Sequence, residues 1–119
     1  MTRDKLESYI AEQYGAEAEY LFKRYPDTSV FRRPDNRKWF ALMNYLPYQT
    51  LGITKEGSTH VLNVKLDPLM VASLRKRRGF CPAWHMHKEH WITILLDGSV
   101  DAEEIYTFID MSFRSVAGR

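Results

Sequence analysis

The sequence holds one cysteine, Cys81, among 119 residues. No intrachain disulfide can form, and a cysteine-rich metal site is excluded. A lone thiol fits a reducing compartment. No apolar stretch approaches the ~20 residues needed to cross a bilayer. Met1 is followed at once by Arg3, Asp4, Lys5 and Glu7, so no secretory leader is visible. The expectation is a cytoplasmic protein without a membrane partner. Net charge is scarce as well: 17 Lys and Arg against 15 Asp and Glu leave +2. A general polycation is excluded, and any nucleic-acid contact must come from local clustering. The chain shows no G-x-S-x-G, no glycine-rich phosphate loop and no paired-carboxylate signature. Repeats, low-complexity runs and linkers are absent too, so residues 1–119 are expected to form one domain.

What is present is ordinary globular material, 45% apolar and 27% charged. A chain of this size hides roughly two-thirds of its unfolded surface, enough for one core without staples. Thr2 can cap a first helix in which Leu6, Tyr9, Ile10, Gln13 and Tyr14 recur at helical spacing, with Gly15 as its stop. Val30-Phe31 and Lys38 to Tyr45 form strands around the turn chemistry of residues 34–37, and Pro47 ends the second. Tyr48 to Thr54 and His60 to Leu66 are expected to pair as a further hairpin turning at Lys55 to Ser58. Asp67-Pro68 starts a helix that Arg75 to Arg78 finish and Gly79 closes. Phe80 to His87 is a loop and His90 to Leu96 a strand. Ser99 or Asp101 caps a last helix with Ile105, Phe108, Ile109, Ser112, Phe113 and Val116 on one face. The fold class is α+β, two layers, an antiparallel sheet backed by helices.

The densest chemistry lies at Phe80 to Gly98, where Trp84, His85, His87, Lys88, Glu89, His90 and Trp91 crowd the mouth of a strand. Three of the 4 histidines and two of the 3 tryptophans are here. His85, His87 and His90 have short spacing suited to zinc, but on a strand His90 would point away from the other two. Cys81 beside a histidine could make a thiolate pair. Between Phe80 and Pro82, however, a buried apolar role is its natural one. Neither a metal, a cofactor nor an enzymatic activity is expected. The basic residues gather at Lys23-Arg24, at Arg32-Arg33 with Arg37-Lys38, and at Arg75 to Arg78. Arginines on hairpin arms can lie along phosphates, and Lys88, His85, His90, Trp84 and Trp91 suit phosphate contact or base stacking. Basic residues in the last turn of a helix need no ligand, because they complement its dipole.

Together these stretches resemble the MmcQ/YjbR family of small bacterial proteins. The resemblance rests on Tyr25-Pro26-Asp27 with Val30-Phe31-Arg32, on Lys38-Trp39-Phe40-Ala41-Leu42, and on Asn63-Val64-Lys65-Leu66-Asp67-Pro68. Above all it rests on His85-Met86, Lys88, His90-Trp91 and Leu96-Asp97-Gly98-Ser99-Val100. It implies a compact α+β domain similar in topology to type III secretion chaperones and frataxin-like proteins. Members are described as DNA-binding because their shape is similar to a double-wing domain, which is an analogy of fold. The family usually carries Asn where this chain has His87, and the stretch from Tyr45 to Gly57 departs from its pattern.

The expectation is therefore a non-enzymatic binding domain, a monomer or weak dimer, whose ligand is DNA. Arg32, Arg33, Arg37 and Lys38 would meet phosphates from one wing. Lys88, His85 and His90 would add to them from the strand mouth, and Trp84 or Trp91 would stack, unless Trp91 is core. The alternative is a protein-interaction module using aromatic surface such as Tyr45, Tyr48 and Trp84.

Overall fold

The computed structural model describes residues 1–118. Its helices are α1 (Arg3–Tyr14), α2 (Pro68–Leu74) and α3 (Ala102–Ser115). Its strands are β1 (Ser29–Arg32), β2 (Trp39–Pro47), β3 (Ser58–Lys65), β4 (Phe80–Pro82) and β5 (Trp91–Leu95). The strands form a 5-stranded sheet in the order β1-β2-β3-β5-β4, with every neighbouring pair antiparallel. The α+β architecture with helices against one side of the sheet is the one the sequence implied.

The helices form where their caps and stripes direct. The Thr2 side chain accepts from the Lys5 amide, and Gly15 ends α1 at φ 68 with its N–H on Ala11. A left-handed residue at this point satisfies carbonyls that the helix would leave unpaired. Leu6 and Ile10 are the buried pair of α1, and Ile105, Phe108, Ile109 and Ser112 those of α3. They pack with Phe31, Ala41, Met43, Leu62, Val64, Ile92 and Ile94 into the main core. Ser112 ties α3 to two strands at once: its hydroxyl donates to the Phe40 carbonyl at 2.6 Å and accepts from the Lys65 amide at 2.8 Å.

The alternate residues of the same strands point to the opposite face. Val30, Leu42, Asn44, Val61, Asn63, Trp91, Thr93 and Leu95 are buried there as well, although no helix covers them. Two small clusters close that face. One joins Leu46, Val61, Cys81 and Leu95 to Tyr48 and Leu51, and the other joins Val30, Leu42 and Trp91 to Ala83. The register shift between Phe31 and Arg32 pairs Arg32 with Trp39 and skips Phe40. An extra residue in one strand turns neighbouring side chains over. Phe40 thus joins the main core while Trp39 packs with the second face.

Three local expectations are corrected. Tyr48–Leu51 is a 3-10 turn, not a strand, because β2 and β3 already pair as far as Pro47 with Ser58. The intervening segment folds back to bury Tyr48 and Leu51 on the second face. Phe80–Pro82 is a short strand on β5, not part of a loop. Helix α2 stops at Leu74 with no basic residue in its last turn. Arg75 is the cap of the helix, and Lys76 to Arg78 follow it in turns. The Arg75 guanidinium donates to the Lys88 carbonyl, and Arg77 takes both oxygens of Glu104 at 2.9 Å.

Candidate functional site

The second face is covered unevenly, and where cover is missing it forms a groove of about 300 Å³ open to solvent. Leu42 and Asn44 of β2 and Thr28, just before β1, make its floor, with Trp39 at one end. One wall is Phe22 and Tyr25 from the segment that returns from α1, and the other is Trp84, His85 and Met86. The rings meet at their edges: Phe22 is T-shaped to Trp39 at 6.0 Å, and Tyr25 to Trp84 at 5.5 Å. His85 lies flat on Trp84 at 3.8 Å with an 8° interplanar angle. Its backbone sits at φ 58, an uncommon conformation for a residue other than glycine. Across the Tyr25–Trp84 contact lies a second depression of about 170 Å³, which shares Thr28 and Asn44 and adds Arg24 and Tyr45.

Beneath the groove runs a line of buried polar side chains. Thr93 donates to Asn63 Oδ1 at 2.5 Å, Asn63 Nδ2 to Asn44 Oδ1 at 2.9 Å, and Asn44 Nδ2 to the Thr28 hydroxyl oxygen at 2.7 Å. Burying polar groups in a sheet face is tolerable because they satisfy one another. The large apolar side chains most open to solvent include Tyr20, Leu21, Phe22, Tyr25 and Tyr45. Phe22, Tyr25 and Tyr45 line the two depressions, and Tyr20 and Leu21 directly precede Phe22.

The arginines of the β1–β2 hairpin have acidic neighbours. Glu19 Oε2 is 3.1 Å from Arg37 and 3.4 Å from Arg32. Arg33 forms a two-point contact with Asp35 and donates to the Phe113 carbonyl while lying over the Phe113 ring. Glu19 reaches this position because its backbone bridges Val30, adding a short rung beside β1. Lys38 is exposed, with its amine 3.5 Å from the Gly118 carbonyl. Lys88 donates to the Ala83 carbonyl and lines a separate depression with Pro68, Val71 and Arg75 of the α2 region. Trp91 is buried core. His90 bonds through its backbone to Leu66 and His87. Of the residues singled out in the sequence, Trp84 and His85 are thus placed together at the groove. The hairpin cations and Lys88 lie apart from its walls. Phe22, Tyr25, Thr28 and Asn44 were not singled out for binding, although Tyr25 stands in a stretch that carries the resemblance and Asn44 interrupts an apolar strand.

The histidine loop does not gather. His85 stacks on Trp84, whereas the His87 and His90 rings pair at 4.7 Å. Among the described residues no three His, Cys, Asp or Glu side chains group as a metal site requires. Cys81 is buried, and burial followed by the charge of Asp97 pushes its thiol upward. Both effects hold it in the protonated form, the opposite of an activated nucleophile. No helix of the described residues is long and apolar enough to cross a membrane.

The family model for YjbR matches residues 11–115. The Bacillus subtilis (strain 168) protein YyaQ is 37% identical over 114 residues, covering 95% of this chain and 96% of YyaQ. YjbR of Escherichia coli (strain K12) is 33% identical over 54 residues, 44% of this chain and 46% of that protein. Among solved structures, a Pseudomonas syringae protein superposes with a TM-score of 0.94 at 39% identity, covering 98% of this chain and 100% of that one. A Deinococcus radiodurans protein with a DUF419 domain superposes with a TM-score of 0.74 at 28% identity, covering 97% of this chain and 78% of that one.

Proposed function

The chain belongs to the YjbR family, and from that premise we propose that it is a non-enzymatic binding domain whose ligand is DNA, held in the aromatic groove. The groove itself is the observation that carries this reading: Phe22, Tyr25, Trp39 and Trp84 converge from distant parts of the sequence and stay open to solvent. Aromatic platforms of this kind stack bases regardless of sequence. The volume is at the small end of the ~300–1,000 Å³ typical of ligand pockets, which suits a single ring system. Lys23 and Arg24, exposed on the same segment, form no ion pair among the described residues. Arg24 lines the depression next to the groove, so this segment holds cations free to meet phosphate there. The hairpin arginines would have to release Glu19 or Asp35 first, so they contribute little.

Anisotropy titrations with labelled single-stranded and duplex DNA at low and moderate salt test this. Trp84→Ala is expected to cost about 1–3 kcal/mol of binding, the usual value of one stacked base, while Arg37→Gln leaves affinity nearly unchanged. Absence of binding at low salt, or equal losses in the two variants, would falsify the reading. A protein partner is the second reading, favoured by the exposed run Tyr20, Leu21, Phe22 and Tyr25. A complex on this rim would persist when excess DNA is added.

A further inference from the structure

We propose that the groove receives one unpaired base at a time and that Thr28 and Asn44 select it by its hydrogen-bond acceptors. The inference rests on the DNA reading above and names the part of DNA that the site takes.

The argument begins at a backbone carbonyl. A carbonyl oxygen can only accept, so the Asn63 atom facing Leu42 O at 3.4 Å is the amide nitrogen. The Asn63 oxygen is then the atom that takes the Thr93 hydroxyl. That same Asn63 nitrogen reaches Asn44 at 2.9 Å, so the Asn44 atom it meets is oxygen. Asn44 is thereby fixed with its nitrogen toward Thr28, whose hydroxyl oxygen accepts at 2.7 Å. The orientation of each amide follows from the one before it. None is free to flip without leaving a buried partner unmatched.

The outcome at the groove floor is a pair of adjacent donors. The Thr28 hydroxyl has accepted a hydrogen and still carries its own. The Asn44 nitrogen has used one of its two hydrogens. The hydrogen bonds of the described residues use neither of the remaining hydrogens. The Asn44 oxygen is turned away toward Asn63. A ring sliding between the aromatic walls therefore meets donors at its inner edge, and it binds best if that edge carries two neighbouring acceptors.

Chemistry narrows the occupant. Aromatic walls also suit an ammonium group, but no carboxylate lines this groove and His85 stands in its wall, while Asp27 and Arg24 line only the adjoining depression. A neutral planar ring on an anionic backbone fits better than a cation. Bases within a duplex keep their faces stacked against one another, whereas a single strand exposes them. Among the purines, guanine presents N7 and O6 side by side as acceptors, while adenine sets a donor amino group beside its N7. Guanine is the purine that matches. Because both purines stack well, the difference between them isolates the edge from the face.

The experiment titrates the full chain, by quenching of its tryptophan fluorescence, with oligothymidylates of about nine nucleotides in which the central nucleotide is dG or dA. The dG strand is expected to bind roughly tenfold more tightly than the dA strand. Thr28→Ser keeps that preference. Thr28→Val weakens it, because only Asn44 still donates, and the dG strand loses more affinity than the dA strand. Equal affinities, a preference for dA, binding confined to duplex DNA, or an undiminished dG preference in Thr28→Val would each overturn the inference and leave the DNA reading standing. Failure of every single strand and of duplex DNA to bind would remove both. Should Thr28→Val not fold, the dG and dA comparison on the unaltered chain decides alone.

Discussion

Asn63 on β3 and Asn44 on β2 meet through a hydrogen bond of 2.9 Å, with Thr93 and Thr28 completing the line on either side. All are buried. The line replaces apolar packing in the middle of a sheet face, where valine or leucine would otherwise fit. Its stability contribution is conditional: it holds only while each member is matched. Replacing Asn63 by Leu would strand the Asn44 oxygen and the Thr93 hydroxyl together. The expected loss is about 2–3 kcal/mol, read from urea denaturation. A loss under about 0.5 kcal/mol would show that water satisfies the stranded groups.

Glu19 governs the charge of the β1–β2 hairpin. It faces Arg32 and Arg37 together, and all three side chains keep some contact with solvent. Glu19→Gln should change stability by less than about 1 kcal/mol, as expected for partly exposed ion pairs. Its effect on polyanion binding should be larger. With the acid gone, duplex DNA gains a phosphate contact, and the dependence of affinity on salt becomes steeper. Heparin or duplex retention at increasing salt, compared between the two proteins, is the measurement. Identical elution would mean that the hairpin is directed away from any bound polyanion.

His60 introduces a pH dependence. Its imidazole lies 3.3 Å from the Arg3 guanidinium. Burial, and then the Arg3 charge, lower its proton affinity below the ordinary value. In the unfolded chain it titrates near ~6.5. Between the folded and unfolded values the unfolded chain therefore holds the extra proton, and stability rises with pH there. Acidification from above that window should destabilise the protein, and His60→Gln should flatten this part of the profile. Melting temperatures between about pH 7 and pH 5, with and without the substitution, settle it. A profile of equal slope in the variant would assign the dependence to other groups.

Cys81 is expected to resist thiol reagents in the folded protein. Its side chain is packed among Leu46, Val61 and Leu95, and its thiol is biased toward the protonated form. Colorimetric disulfide reagents should react at the rate of unfolding and become fast only in denaturant. Rapid modification of the native chain would reveal an opening of β4.

Gly79 is a position where glycine is needed for both space and backbone. It sits at φ +95, and an added Cβ would lie 2.6 Å from Val100 Cγ2 and 3.0 Å from Ser99 Cβ. Gly79→Ala should therefore cost more than about 1 kcal/mol, while Gly57→Ala should cost less, since at φ +93 it meets nothing within 4 Å. Paired denaturation curves check the ranking.

How much of this was legible in the sequence depended on the range of the interaction. Helices α1 and α3 were readable because caps and stripes are local. The strand around Asn63 was readable because its apolar alternation is local too. Phe80–Pro82 was not, since a three-residue strand has no period of its own and exists only because β5 pairs with it. Tyr48 to Leu51 has strand-like composition but folds to fill the second face. The groove was the least visible part. Trp84 and His85 were noticed for their chemistry, but Phe22 and Tyr25 reach them only after the chain has turned back from α1. The cations at 32, 33 and 37 were equally visible, whereas the acid beside two of them arrives through a backbone bridge between Glu19 and Val30.

The groove draws most of its bottom from β2 and its sides from irregular connections. Leu42 and Asn44, bonded into β-ladders, cannot shift without unravelling the sheet, whereas residues 20–24 and 83–90 can lengthen, shorten or change composition with little effect on it. Diversification of what this scaffold holds can therefore proceed by remodelling its margins alone, with Asn44 staying fixed as the reference point.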